Sequence, residues 1–177
     1  MAISVFIDNN VWDYLFENSI DLCKELPFDD FCISITREAE FEIQSIPTDK
    51  AALKAFIEAS LSNREVKTDS YFGFYDPSLP PNEQRVGGWG VGRWASEKEI
   101  AFIQNQRSRI GPLKKTKLFA NEADVSIAAR ALKSVVLTFD KRGALNEAYK
   151  QGAKILYMTD FKNSGKSLAE FIKTALD

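Results

Sequence analysis

The chain reads as one α/β domain: a parallel sheet covered by helices on both faces. Two observations carry that reading. Short runs rich in Val, Ile and Phe alternate with helical patterns of about 10 to 15 residues, the order expected of βαβ units. A length of 177 residues with 45% apolar composition suits a single domain with a sizeable core.

The elements follow in order. The β-prone run from residue 3 ends at Asp8, and Val11, Tyr14 and Leu15 give residues 9–18 helical spacing. Residues 31–35 make a second strand. A helix over 36–46 stops before Pro47, and Thr48 is expected to cap another over 49–61, with Leu53, Phe56, Ile57 and Leu61 inward. From Ser62 to Lys117 the pattern changes: Asp76-Pro77, Pro80-Pro81 and the run Gly87 to Gly92 announce loops. A helix re-forms there at Ser96, which has Glu99 in capping-box spacing. The alternation then resumes with a helix over 121–133, a strand over 135–139 ending at Asp140, a helix over 144–151, a strand over 153–157 and a helix over 167–176.

Composition excludes much chemistry. The chain contains no histidine, so Ser-His-Asp and Cys-His nucleophile systems, His-zinc hydrolases and His-pair ribonuclease chemistry are ruled out. Cys23 and Cys32 form no CxxC and read as reduced, mostly buried thiols. No apolar run approaches the ~18 residues of a membrane span, and an acid stands at position 8, where a signal peptide would stay apolar. The expected location is cytoplasmic. A net charge of minus 2 means that a nucleic-acid partner must be argued from a local patch.

Four acids carry the functional reading. Asp8 and Asp140 follow strands, Glu40 lies in the helix after the second strand, and Asp124 sits in the first turn of a helix on its inward stripe. Ligand sites of open parallel sheets form beyond the carboxyl ends of the strands. Singly, each acid is explained as a cap or turn residue, but caps have no reason to share one sheet edge, and a site for a hard divalent cation does. The helical wheel leaves the second acid open: Glu40 flanks the inner face on one side, Glu38 and Glu42 on the other.

These residues resemble the PIN domain family. Val5-Phe6-Ile7-Asp8-Asn9-Asn10-Val11-Trp12 is similar to its opening motif, and Ile33-Ser34-Ile35-Thr36-Arg37-Glu38-Ala39-Glu40-Phe41 to its second, an alignment that selects Glu40. Ala123-Asp124-Val125-Ser126-Ile127-Ala128-Ala129-Arg130-Ala131 resembles the third motif, and Val136-Leu137-Thr138-Phe139-Asp140 the fourth. The resemblance covers residues 3–61 and 118–160. It implies a three-layer sandwich on a five-stranded parallel sheet and a magnesium- or manganese-dependent ribonuclease of the type common among toxins of bacterial toxin–antitoxin pairs, with an antitoxin as partner. Two features depart from the family: the long segment Ser62 to Lys117, and Lys141-Arg142-Gly143 where an aromatic usually follows the fourth acid.

The expected chemistry is hydrolysis of RNA by a metal-activated water, leaving a 5′-phosphate, with Asp8, Glu40, Asp124 and Asp140 as metal ligands and Asn10, Ser34 and Thr138 orienting them. Phosphatases of the haloacid dehalogenase class want a second Asp where Asn10 stands, and receiver domains want paired acids where Asp8-Asn9 supplies one. A catalytically idle scaffold binding RNA or protein is the remaining alternative. Residues 85–117 carry plus 6, leaving minus 8 on the rest, with Trp89 and Trp94 among the bases. Arg93, Arg107, Arg109, Trp89 and Trp94 are the residues expected to hold single-stranded RNA by charge and stacking; the alternatives are that the tryptophans fold back as a small apolar cover with the bases a solvated helix face, or that the segment is a partner-binding or homodimer surface.

Overall fold

Val5 and Ile7 of β1 (Ile3–Ile7) turn to one side of the sheet and Phe6 to the other, and all three are buried. That alternation sets up a core on each face. The computed structural model describes residues 2–77 and 79–176. After β1 come α1 (Asn9–Glu17), a single turn α2 (Leu22–Glu25), β2 (Phe31–Thr36), α3 (Arg37–Gln44) and α4 (Ala51–Asn63). A short β3 (Lys67–Asp69) leads into the insertion, which holds α5 (Glu97–Gln106). The chain returns through α6 (Glu122–Arg130), β4 (Val135–Thr138), α7 (Gly143–Lys150), β5 (Ile155–Tyr157), α8 (Met158–Lys162) and α9 (Leu168–Thr174).

The five strands are parallel, in the order β3-β2-β1-β4-β5. The chain builds outward from β1 to β3 and then returns to the other side of β1. The reversal therefore lies between β1 and β4, where Val5 stands opposite Val135 and Ile7 opposite Leu137. On one face, Val5, Ile7, Ile33, Val135 and Leu137 pack with Trp12, Leu15, Ile43, Ile57 and Ile172 from α1, α3, α4 and α9. On the other, Phe6, Val136 and Ile155 pack with Phe102, Ile127, Ala128 and Leu145 from α5, α6 and α7. The result is the three-layer α/β arrangement that the alternation predicts.

The structure corrects two local expectations. Thr48 opens a 3-10 turn (Thr48–Lys50), and α4 starts only after Lys50. The segment read as loops contributes the edge strand β3, whose three polar residues carry no apolar alternation. At Ser96 the expected capping box forms in full with Glu99.

The insertion is fastened to the frame by buried charge. Asp69, at the end of β3, accepts from Arg130 Nε at 2.7 Å and from Arg93 Nε at 2.9 Å. Arg93 also donates to the fully buried Glu99 at 2.5 Å. The Tyr71 ring lies against both cations, 4.2 Å from the Arg130 guanidinium carbon and 4.7 Å from that of Arg93. Burial alone would raise Glu99, but Arg93 and Ser96 hold its carboxyl down to about 2. The glycine run serves a close backbone crossing: a Cβ on Gly87 would fall 2.5 Å from the Gly92 nitrogen, and one on Gly92 would fall 2.5 Å from the Gly87 oxygen.

Candidate active site

Asp8 leaves β1 at the reversal point, its N–H donating to the Leu137 carbonyl of β4 at 3.1 Å. Asp8 Oδ2 accepts from Thr138 Oγ1 and from Asn10 Nδ2, each at 2.6 Å. Thr138 Oγ1 in turn accepts from the Asp140 N–H at 2.9 Å, and Asn10 Oδ1 accepts from the Phe139 N–H at 2.9 Å. Asn10 and Thr138 thus lash the ends of β1 and β4 together around one carboxylate. Asp140 sits just beyond, accepting from the Arg142 N–H at 2.9 Å.

The acids feel one another. Burial pushes the Asp8 carboxyl up to about 6; Asp124 and Glu42 add to the rise, while Thr138 and the Asn9 N–H oppose it. Glu42 is raised by burial and by Asp124, and Asp124 by burial and by Asp140. Lys114, from the insertion, tempers both. Asp8, Glu42, Asp124 and Asp140 therefore share one electrostatic neighbourhood.

Glu40 does not join it. Its carboxylate pairs with Arg37, whose guanidinium also holds the carbonyls of Gln84, at 3.1 Å, and Asn82, at 2.8 Å. The side of α3 facing the site carries Glu38 and Glu42, four residues apart. Glu42 Oε2 accepts from Asn9 Nδ2 at 2.7 Å, and buried Glu38 accepts from Ser126 Oγ at 2.7 Å. Asn9 gave no sequence signal, because its partners, Glu42 and the Ala39 carbonyl, lie 30 or more residues away. Ser34 is buried in β2 and makes no hydrogen bond to these acids among the described residues.

The donor set fits a hard cation in kind, since it consists of carboxylate oxygens. It does not yet fit in spacing, for no three of these acids stand close enough to hold an ion among the described residues.

The expected RNA-binding residues divide. Arg93 is consumed by Asp69 and Glu99, because the insertion needs that cation to bury its own acids. Trp89 and Trp94 are exposed and flank Phe72, with ring centroids 4.9 and 4.4 Å away. Arg107 and Arg109 lie on an exposed 3-10 turn (Arg107–Arg109) and make no ion pair among the described residues. No helix is long and apolar enough to cross a membrane among the described residues.

No protein-family model matches the chain, and neither does any curated protein. Among solved structures, it is similar to a chain of VapBC2 from Rickettsia felis bound to a DNA fragment from its promoter, at 15% identity and a TM-score of 0.48, over 88% of this chain and 98% of that one. It is also similar to a domain of a functionally unknown protein from Methanocaldococcus jannaschii, at 20% identity and a TM-score of 0.45, over 88% and 91%. With both scores below 0.5, neither likeness adds to what the sheet order and side chains say.

Proposed function

We propose that this chain is a metal-dependent ribonuclease of the PIN type, acting on single-stranded RNA. The observation that carries the reading is Asp8: a carboxylate fixed at the reversal point by Thr138 and Asn10 and raised to about 6, with Asp124 and Glu42 adding to its charge burden. Lys114 tempers Glu42 and Asp124 and Arg142 pairs with Asp140 at 3.5 Å, while Asp8 accepts from neutral donors alone among the described residues, so the cluster is suited to a cation from solution.

In this reading Asp8, Glu42, Asp124 and Asp140 would hold magnesium or manganese, with Glu42 taking the place that the motif resemblance gives to Glu40. The chemistry such an ion would supply there is an activated water and offset of charge on the scissile phosphate. Asn10 and Thr138 fix the orientation of Asp8, and Asn9 that of Glu42. Lys114 stands where it draws the RNA backbone towards the acids, and Arg107 and Arg109 extend that attraction outward. A polypeptide antitoxin as partner rests on the motif resemblance alone.

The catalytically idle scaffold keeps one observation in its favour, the spacing of the acids. The test is turnover: the purified chain with manganese or magnesium should cut single-stranded RNA to 5′-phosphate products. EDTA, Asp8→Asn and Asp124→Asn should each abolish the cleavage. Manganese binding without cleavage of any RNA would establish the idle scaffold.

A further inference from the structure

Beside the acids lies a cavity of about 400 Å³, within the roughly 300–1,000 Å³ range of small-ligand sites. Ile43, Leu53 and Ile57 give it an apolar wall, and Glu42 and Asn9 form its boundary with the acid site. Its polar lining is unusual. Four buried side-chain atoms lack a hydrogen-bond partner among the described residues, and three of them, Asn9 Oδ1, Trp12 Nε1 and Thr116 Oγ1, belong to residues lining this one cavity. Buried polar atoms are ordinarily paired, so three orphans around one hollow call for an explanation.

We propose that this cavity receives a nucleobase of the RNA, next to the phosphodiester at the acids; the inference rests on the nuclease reading above. The three atoms differ in kind. Trp12, 1% exposed, offers a donor only. Asn9 offers an acceptor, since its amide nitrogen is already committed to Glu42 and to the Ala39 carbonyl at 3.1 Å. The Thr116 hydroxyl can do either. A donor, an acceptor and an adaptable hydroxyl around an apolar hollow match a flat heteroaromatic ring with mixed polar atoms on its edge. In the nuclease reading, a cation held by the neighbouring acids would draw the phosphodiester linked to that ring. The three atoms are themselves occluded, so the ring reaches them only once the wall shifts slightly to uncover them.

Binding of adenosine, guanosine, cytidine and uridine to the full chain, measured by saturation-transfer NMR in metal-free buffer with ribose as control, tests this. At least one nucleoside should bind roughly tenfold more tightly than ribose, and Thr116→Val should weaken it by about fivefold to tenfold. That variant keeps the side-chain shape and removes an unpaired hydroxyl, so it folds at least as well as wild type. Trp12→Phe serves as a second probe. Equal binding of ribose, unchanged affinity in both variants, or no nucleoside bound at several millimolar would overturn the proposal. Because the assay uses neither metal nor turnover, a chain that cuts RNA but binds no nucleoside loses only the pocket. One that binds nucleosides and never cuts loses only the nuclease.

Discussion

Two carboxylates, one fully buried and one half-buried, meet opposite fates in this molecule. Glu99 in the insertion is fully buried, yet Arg93 and Ser96 hold its carboxyl at about 2. Asp8 at the sheet reversal receives two neutral donors and no cation, and rises to about 6. The chain holds bases enough to serve both, and spends Arg93 and Arg130 on the insertion's anchor. Charge completed internally belongs to structure; charge left uncompleted at the ligand edge of an α/β sheet is what the proposed function draws on.

The largest effect should come from breaking the completed network. Arg130 is 1% exposed and binds Asp69, Ser126 and the face of Tyr71. Arg130→Met should cost about 3 kcal/mol, read as a fall in melting temperature of roughly 6–12 °C. A fall of under 2 °C would show that the anchor adds nothing to the fold.

The uncompleted site should respond with the opposite sign. The Asp8 carboxyl lies above its unfolded value of 3.8, so its contribution to stability is fully present below about pH 3.8 and lost as pH rises through about 6. Asp8→Asn should therefore stabilise the metal-free chain by about 2 kcal/mol at pH 7.5, and the gain should vanish near pH 4. Glu99 runs the other way: its contribution is present above about pH 4.5 and lost as pH falls towards 2. Melting curves of wild type, Asp8→Asn and Glu99→Gln across pH 3 to 8 would check both signs.

The sequence shows the frame far better than the insertion, for physical reasons. The apolar runs of β1, β2 and β4, with Asp8 and Asp140 at strand ends and Asp124 in the first turn of α6, are visible because each signal is local. Glu42 and Glu40 both flank the inner face of α3, so the helical pattern does not separate them; their contacts, Asn9 for Glu42 and Arg37 for Glu40, do differ, and the Asn9 contact crosses 33 residues. Arg93 looks like an RNA ligand in a basic run until Asp69, 24 residues earlier, claims it. β3 has three residues, all polar, and only its pairing with β2 makes it a strand.

A smaller effect separates the insertion's free bases from its spent ones. Arg107→Ala with Arg109→Ala should lower the slope of RNA affinity against salt concentration by about 1 on logarithmic axes and leave the melting temperature unchanged. Unchanged slope and affinity in that double variant and in Trp89→Ala would leave this surface to a protein partner or a second copy.

Manganese binding followed by thermal melting tests the central claim most directly. Excess manganese should raise the melting temperature of wild type by several degrees, as an ion bound only by the folded state must. It should not do so for Asp8→Asn or Asp124→Asn, and Glu42→Gln should lose more of the response than Glu40→Gln. An equal rise in wild type and all four variants, or none in wild type, would show that the acids at the sheet reversal hold no metal.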